Sequence, residues 1–190
     1  MKKLKFSVSP AMAILLLCMI ATTPLKQLCI CFAAAAIHEL GHILAAKLLS
    51  VNLSHMQLDV LGARLRTSGK LCSYPAMVAL CFAGPLVNLV CFALTLPFFE
   101  YASCLEEFGM ASLSLGLLNL IPVQGFDGGR IVHGILSSFL PVTVVERVCG
   151  ILGFCSLLCM WMLSVWLILR TGTSLTLFVF SCYLFCMLFA

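Results

Sequence analysis

The sequence predicts an all-α polytopic membrane protein of about six transmembrane helices, with a short β-hairpin as a candidate element after the second. Three observations carry this. Of the 190 residues, 63% are hydrophobic and only 9% charged, whereas a soluble domain is nearer half apolar and a quarter charged. Mean hydropathy is +1.16. The apolar residues also gather in runs close to the roughly 20 residues needed to cross a bilayer.

Taken in order, the first run is Ser9–Thr23, behind a start that contains Lys2, Lys3 and Lys5. That start and the apolar stretch Ala11–Ala21 also fit a signal peptide, but no convincing small-x-small cleavage site follows. The second run is Leu28–Leu49. Between Val51 and Thr67 the texture changes: Leu53, Met56, Leu58, Val60 and Leu65 partly alternate with polar neighbours, and Leu61-Gly62 can turn, the pattern of a hairpin. An irregular amphipathic loop fits nearly as well. The third run is Pro75–Phe99. The fourth, Phe108–Ile121, is short for a lipid-facing helix and needs neighbours to shield it. Val144–Leu169 and Ser174–Phe189 complete the six. The expected organisation is a single transmembrane domain over residues 1–190. No loop is long enough for an inserted PDZ-like domain, and the chain ends in a span rather than a CBS domain.

Charge orients the spans. With the N-terminus in the cytoplasm, Lys2, Lys3, Lys5, Lys47, Arg64, Arg66, Lys70, Arg130 and Arg147 fall inside. Only Lys26 and Arg170, of eleven Lys and Arg, fall outside. Both termini are therefore expected in the cytoplasm. Short loops and a compact plan point to a bacterial inner membrane. The net charge of +4 reflects topology: no basic cluster exceeds the N-terminal one, so a nucleic-acid partner is not expected. Most of the twelve cysteines lie in apolar runs, where Cys acts as a small hydrophobe. Cys155 and Cys159 lack the companions of a zinc site, and the spacing shows no disulfide framework.

The chemistry concentrates in His38-Glu39-Leu40-Gly41-His42, inside the apolar run Cys29–Leu49. On a helix, residues four apart share a face, so both imidazoles can reach one Zn²⁺, with Glu39 beside it as a general base. Ionisable side chains there cost roughly 2.5–3.5 kcal/mol each at a helix centre, so lipid-buried charge of this kind marks function. A catalytic zinc takes a third protein ligand and keeps an open position. The remaining candidates are His55, Asp59, Glu100, Glu106, Glu107, Asp127, His133 and Glu146. Asp127 stands out by context. It lies in Asn119-Leu120-Ile121-Pro122-Val123-Gln124-Gly125-Phe126-Asp127-Gly128-Gly129-Arg130, where Pro122 and Gly125 break the helix and Gly128-Gly129 permit close backbone approach. His42 is roughly 10–12 Å from the end of its helix near Leu49. Asp127 is expected at the cytoplasmic end of the fourth span, so the three groups can meet below that surface. The third element is Ala83-Gly84-Pro85-Leu86-Val87-Asn88. Asn88 either makes an interhelical hydrogen bond or donates to a developing oxyanion.

These three motifs, in this order and over about Ala33 to Arg130, resemble the site-2 protease family of intramembrane zinc metalloproteases. The six-span plan is most similar to the bacterial branch that includes stage IV sporulation protein FB. The resemblance implies that His38, His42 and Asp127 bind one Zn²⁺, that Glu39 is the general base, and that Asn88 assists the transition state. It also implies a membrane protein substrate cleaved in or near a transmembrane segment. With neither PDZ nor CBS domain in sight, any regulators are separate membrane proteins. The site residues carry competing readings. A transporter or metal carrier also places charge in the membrane, but has no need of Glu39 between the two His. An inactive relative that only binds membrane proteins would not need the full set of ligands. His55 and His133 also fit as interfacial or loop residues, Arg130 as a cytoplasmic anchor rather than a partner that orients Asp127, and Glu146 as an interfacial residue.

Overall fold

The computed structural model describes residues 5–8, 24–51, 53–59, 62–67 and 73–171, with positions 178, 181, 182, 184 and 185 near the C-terminus. Helices dominate. They are α1 (Leu25–Leu48), α2 (Tyr74–Thr95), α3 (Ser103–Leu120), α4 (Asp127–Ser137) and α5 (Val142–Thr171). A single 3₁₀ turn, Leu96–Phe98, follows α2. Three short strands, β1 (Lys5–Val8), β2 (Leu53–Asp59) and β3 (Gly62–Thr67), pair in the order β1-β2-β3. β1 runs parallel to β2, and β2 antiparallel to β3.

Three helices among the described residues are long and apolar enough to cross a membrane: Leu25–Leu48, Tyr74–Phe98 and Val142–Arg170. These match the second, third and fifth expected spans; the fourth is not among them. The physical reason is plain for the fourth expected span. Helix α3 has 18 residues and carries Glu106, Glu107, Ser112, Ser114 and Asn119; it is about 27 Å long and too polar to face lipid alone. Expected spans 9–23 and, for all but five positions, 174–189 lie outside the described residues.

Each helix ends for a local reason. Helix α1 stops where Ser50 enters the left-handed region at φ 53°, and Val51 N–H closes back on the Ala46 carbonyl at 2.8 Å. Helix α2 carries Pro85 in its interior. Having no N–H to give, this residue loosens the turn nearest the site. Helices α3 and α4 are separated by a tight connection in which Gly125 takes φ 109°, a conformation natural to glycine.

Helices α1 and α2 touch along small residues. A methyl at Gly41 would meet the Ala83 carbonyl at 2.9 Å and the Gly84 Cα at 3.2 Å, so the backbones approach as small-residue helix pairs do. The connection before α4 is pinned from the other side. Val123 and Phe126 are buried in one apolar cluster with Leu157, Met160 and Leu184. This cluster fixes the chain just ahead of Asp127 against α5.

Candidate metal centre

The helical register puts His38, His42 and Gly41 on the buried face of α1, which packs against α2. Asp127 is the first residue of α4, not the tail of the helix before it as the sequence suggests. A carboxylate there also suits the positive end of the helix dipole. Glycines set its depth: a methyl at Gly128 would strike the Leu120 carbonyl and lie 2.6 Å from the Ile121 carbonyl oxygen, and one at Gly129 would lie 2.7 Å from the Val123 carbonyl carbon. The Asp-Gly-Gly run is what lets α4 start pressed against residues 120–123.

The result is a convergence of side chains 85 and more residues apart. His38 Nε2 and His42 Nε2 each lie 3.1 Å from Asp127 Oδ2. The two nitrogens are 3.2 Å from one another. All three residues are buried. Among the described residues they form the candidate cation-binding cluster of His, Cys, Asp and Glu. Burial pushes the pKa of the Asp127 carboxyl up, but the two imidazoles that face it outweigh this and hold it down at about 2. The carboxylate is therefore ionised.

The donor set fits zinc on three counts. A tetrahedral ion with bonds of about 2.0 Å requires ligand atoms about 3.3 Å apart, close to the observed triangle. The lone pairs also point the right way. His42 Nδ1–H donates to the Leu80 carbonyl at 2.8 Å, so the neutral ring presents a bare lone pair at Nε2 towards the Asp127 carboxylate. Two electron-rich atoms at that distance repel each other unless a cation, either a proton or a metal ion, lies between them. Finally, there is room. A methyl at residue 84 would strike His42 Nε2 and sit 2.8 Å from His38 Nε2; glycine there leaves that side of the triangle open.

The other expected residues fall as follows. Glu39 is half-buried, and its Oε2 is buried without a hydrogen-bond partner among the described residues. Asn88 is fully buried, and its side-chain nitrogen lies 3.3 Å from His38 Nδ1. Arg130 Nη1 is 4.0 Å from Asp127 Oδ1, a loose pairing rather than a fork. His133 stands apart from the triad, near Ser137 Oγ. Glu107 is engaged with Lys26 at 2.6 Å. The side chains of His55 and Asp59 lie outside the description. A cavity of about 510 Å³ opens beside His42 and Asp127 and is walled in part by Gln124, Arg130, His133 and Glu146. Glu146, read from the sequence as interfacial, belongs to that wall. Sequence reasoning missed the Leu80 carbonyl, a backbone group that leaves no residue signal.

The chain is similar to the "Site-2 Protease from Methanocaldococcus jannaschii", with a TM-score of 0.67 and 21% identity over 90% of this chain and 82% of that one. A sequence description of Peptidase family M50 matches residues 93–163, a stretch that contains Asp127 but not the two His. No curated protein matches the chain. With its three apolar helices, the chain reads as an integral membrane protein.

Proposed function

We propose that this chain is a zinc-dependent intramembrane endopeptidase of the site-2 protease kind. It would hydrolyse a peptide bond in or near the transmembrane segment of another membrane protein. The single observation that carries the reading is the buried triangle of His38 Nε2, His42 Nε2 and Asp127 Oδ2, with edges of 3.1 to 3.2 Å. The match to Peptidase family M50 and the shared fold support it.

His38, His42 and Asp127 would hold one zinc ion. When bound there, zinc supplies a Lewis acid that lowers the pKa of water from about 15.7 toward about 7. Glu39, one residue from a ligand, takes the proton of the attacking water and returns it to the leaving amine nitrogen. Its buried, unpartnered Oε2 is suited to receive that proton. The cavity beside His42 and Asp127 admits the peptide. A helical peptide bond is hydrogen-bonded and shielded, so the substrate unwinds locally, and helix-breaking residues near its scissile bond favour cleavage. The bias of basic residues supports a site towards the cytoplasm, with both termini on that side, and the short loops support a bacterial inner membrane. Separate membrane proteins would regulate it.

The test is zinc content and proteolysis measured together in detergent, on wild type, Glu39→Gln and Asp127→Ala, with a panel of single-span substrates. The expected outcome is near-stoichiometric zinc in wild type and Glu39→Gln, loss of zinc in Asp127→Ala, and cleavage by wild type alone. Removing the base costs roughly 10²–10⁴-fold in rate. Zinc-free but folded wild type would sink the reading.

A further inference from the structure

Each histidine of the triangle has a second ring nitrogen, and the two are treated differently. His42 Nδ1 faces a backbone carbonyl, that of Leu80, at 2.8 Å. A carbonyl can only accept, so Nδ1 carries the proton and Nε2 is free to bind a cation. His38 Nδ1 faces the amide of Asn88 instead, at 3.3 Å from Nδ2. An amide can do either job, according to which of its two ends is turned to the ring.

With Nδ2 turned to the ring, Asn88 donates. A neutral His38 then carries its proton on Nε2, the atom that faces His42 and Asp127, and cannot ligate through it. The other end of the amide, Oδ1, is buried and has no hydrogen-bond partner among the described residues. Turning the amide by half a rotation exchanges two ends of nearly equal size. It brings Oδ1 to His38 Nδ1, where it accepts a proton from the ring, and Nε2 is left bare. Asn88 itself cannot move away. It is fully buried in α2, and a methyl at Gly116 of α3 would come within 3.3 Å of its Cβ.

We infer that Asn88 is a positioning residue for the metal: its side-chain oxygen accepts the Nδ1 proton of His38 and holds the ring in the tautomer that leaves Nε2 free for zinc. The role is the one the Leu80 carbonyl plays for His42, supplied by a side chain. Acceptors of this kind behind a metal-bound histidine fix both ring orientation and basicity. The inference rests on the zinc reading above, and it moves Asn88 away from the oxyanion, since an amide whose oxygen is held by His38 acts on the reaction through the ligand.

The test compares zinc dissociation constants, by competition with a chelator, for purified wild type, Asn88→Leu and Asn88→Asp. Leucine keeps the branched heavy-atom skeleton but has no acceptor. Aspartate has no N–H, but accepts. Asn88→Leu should weaken zinc binding by roughly 10–100-fold, and Asn88→Asp should restore most of the wild-type affinity. Rescue by aspartate alone is a result that a packing role does not produce. Equal affinity in wild type and Asn88→Leu, or equal loss in both variants, would overturn the inference while zinc in wild type kept the protease reading. Should Asn88→Leu fail to fold, Asn88→Asp decides: retained zinc supports the acceptor role, and zinc lost from a folded protein rejects it. Absence of zinc from wild type itself removes the reading on which the inference stands.

Discussion

Helix α1 meets a carboxylate at two places, one at its start and one further along, and the two contacts differ in kind. At its start, Lys26 Nζ meets Glu107 Oε1 at 2.6 Å, with side chains 55% and 37% exposed. Further along, His38 and His42 meet Asp127 at 3.1 Å, with side chains 6 to 8% exposed. The exposed pair is the shorter contact, and its charges balance: one cation answers one carboxylate through Oε1, while Glu107 Oε2 is buried without a hydrogen-bond partner among the described residues. The buried group differs: two imidazole nitrogens and one carboxylate oxygen converge, and only a cation shared among them answers all three lone pairs. Distance alone would therefore rank the two clusters the wrong way round. A site is marked by converging lone pairs, kept from water and left without a donor.

The largest effect that can break this comparison comes from filling the open side of the triangle. Gly84→Ala in an ordinary helix would raise stability by about 0.5–1 kcal/mol. Here the new methyl would strike His42 Nε2. We expect zinc affinity to fall by at least the roughly 10–100-fold typical of misdirected ligands, and stability to drop by about 1–3 kcal/mol as in other overpacked interiors. Chelator competition and thermal unfolding read the two separately. A Gly84→Ala protein that binds zinc like wild type would mean that the ion does not occupy the space between the two rings.

A smaller effect is expected at the edge of the site. Arg130 Nη1 is 4.0 Å from Asp127 Oδ1, and the arginine side chain is 32% exposed. Such a pair is loose and screened. Arg130→Gln should change zinc affinity by less than about tenfold. A loss as great as that of Asp127→Ala would make Arg130 part of the buried cluster, and would reverse the reading of it as an anchor.

Much of the site is legible in the residues because its chemistry is local. His38-Glu39-Leu40-Gly41-His42 needs only helical periodicity to put two imidazoles on one face, and the structure keeps them there. Asp127 could be picked out because Gly128-Gly129 announce a close backbone approach, which the contacts with residues 120–123 display. Its placement at the start of a new helix could not be read so directly. Residues 127–137 carry Arg130 and His133 and are too short to span, so hydropathy passes over them, while the cluster that pins Val123 and Phe126 draws on residues as distant as Leu184. The fourth expected span was misread for a related reason. Hydropathy marks what can enter lipid, and a short helix such as α3 is settled instead by the neighbours that shield it. The Leu80 carbonyl was beyond reach altogether, since every residue carries one.

The smallest effect is the control that gives the comparison its meaning. Lys26→Met removes the cation of the exposed pair and leaves Glu107 near the start of α3. If the two clusters differ as argued, zinc affinity should change by less than about twofold, since an exposed pair is solvated and screened, and cleavage should be unaltered. Raising the salt concentration should erase what small change in thermal midpoint the substitution makes, whereas it should leave the effect of Gly84→Ala in place. A Lys26→Met protein that lost zinc would show that the two ends of α1 are coupled along the helix, and the contrast drawn between them would fail.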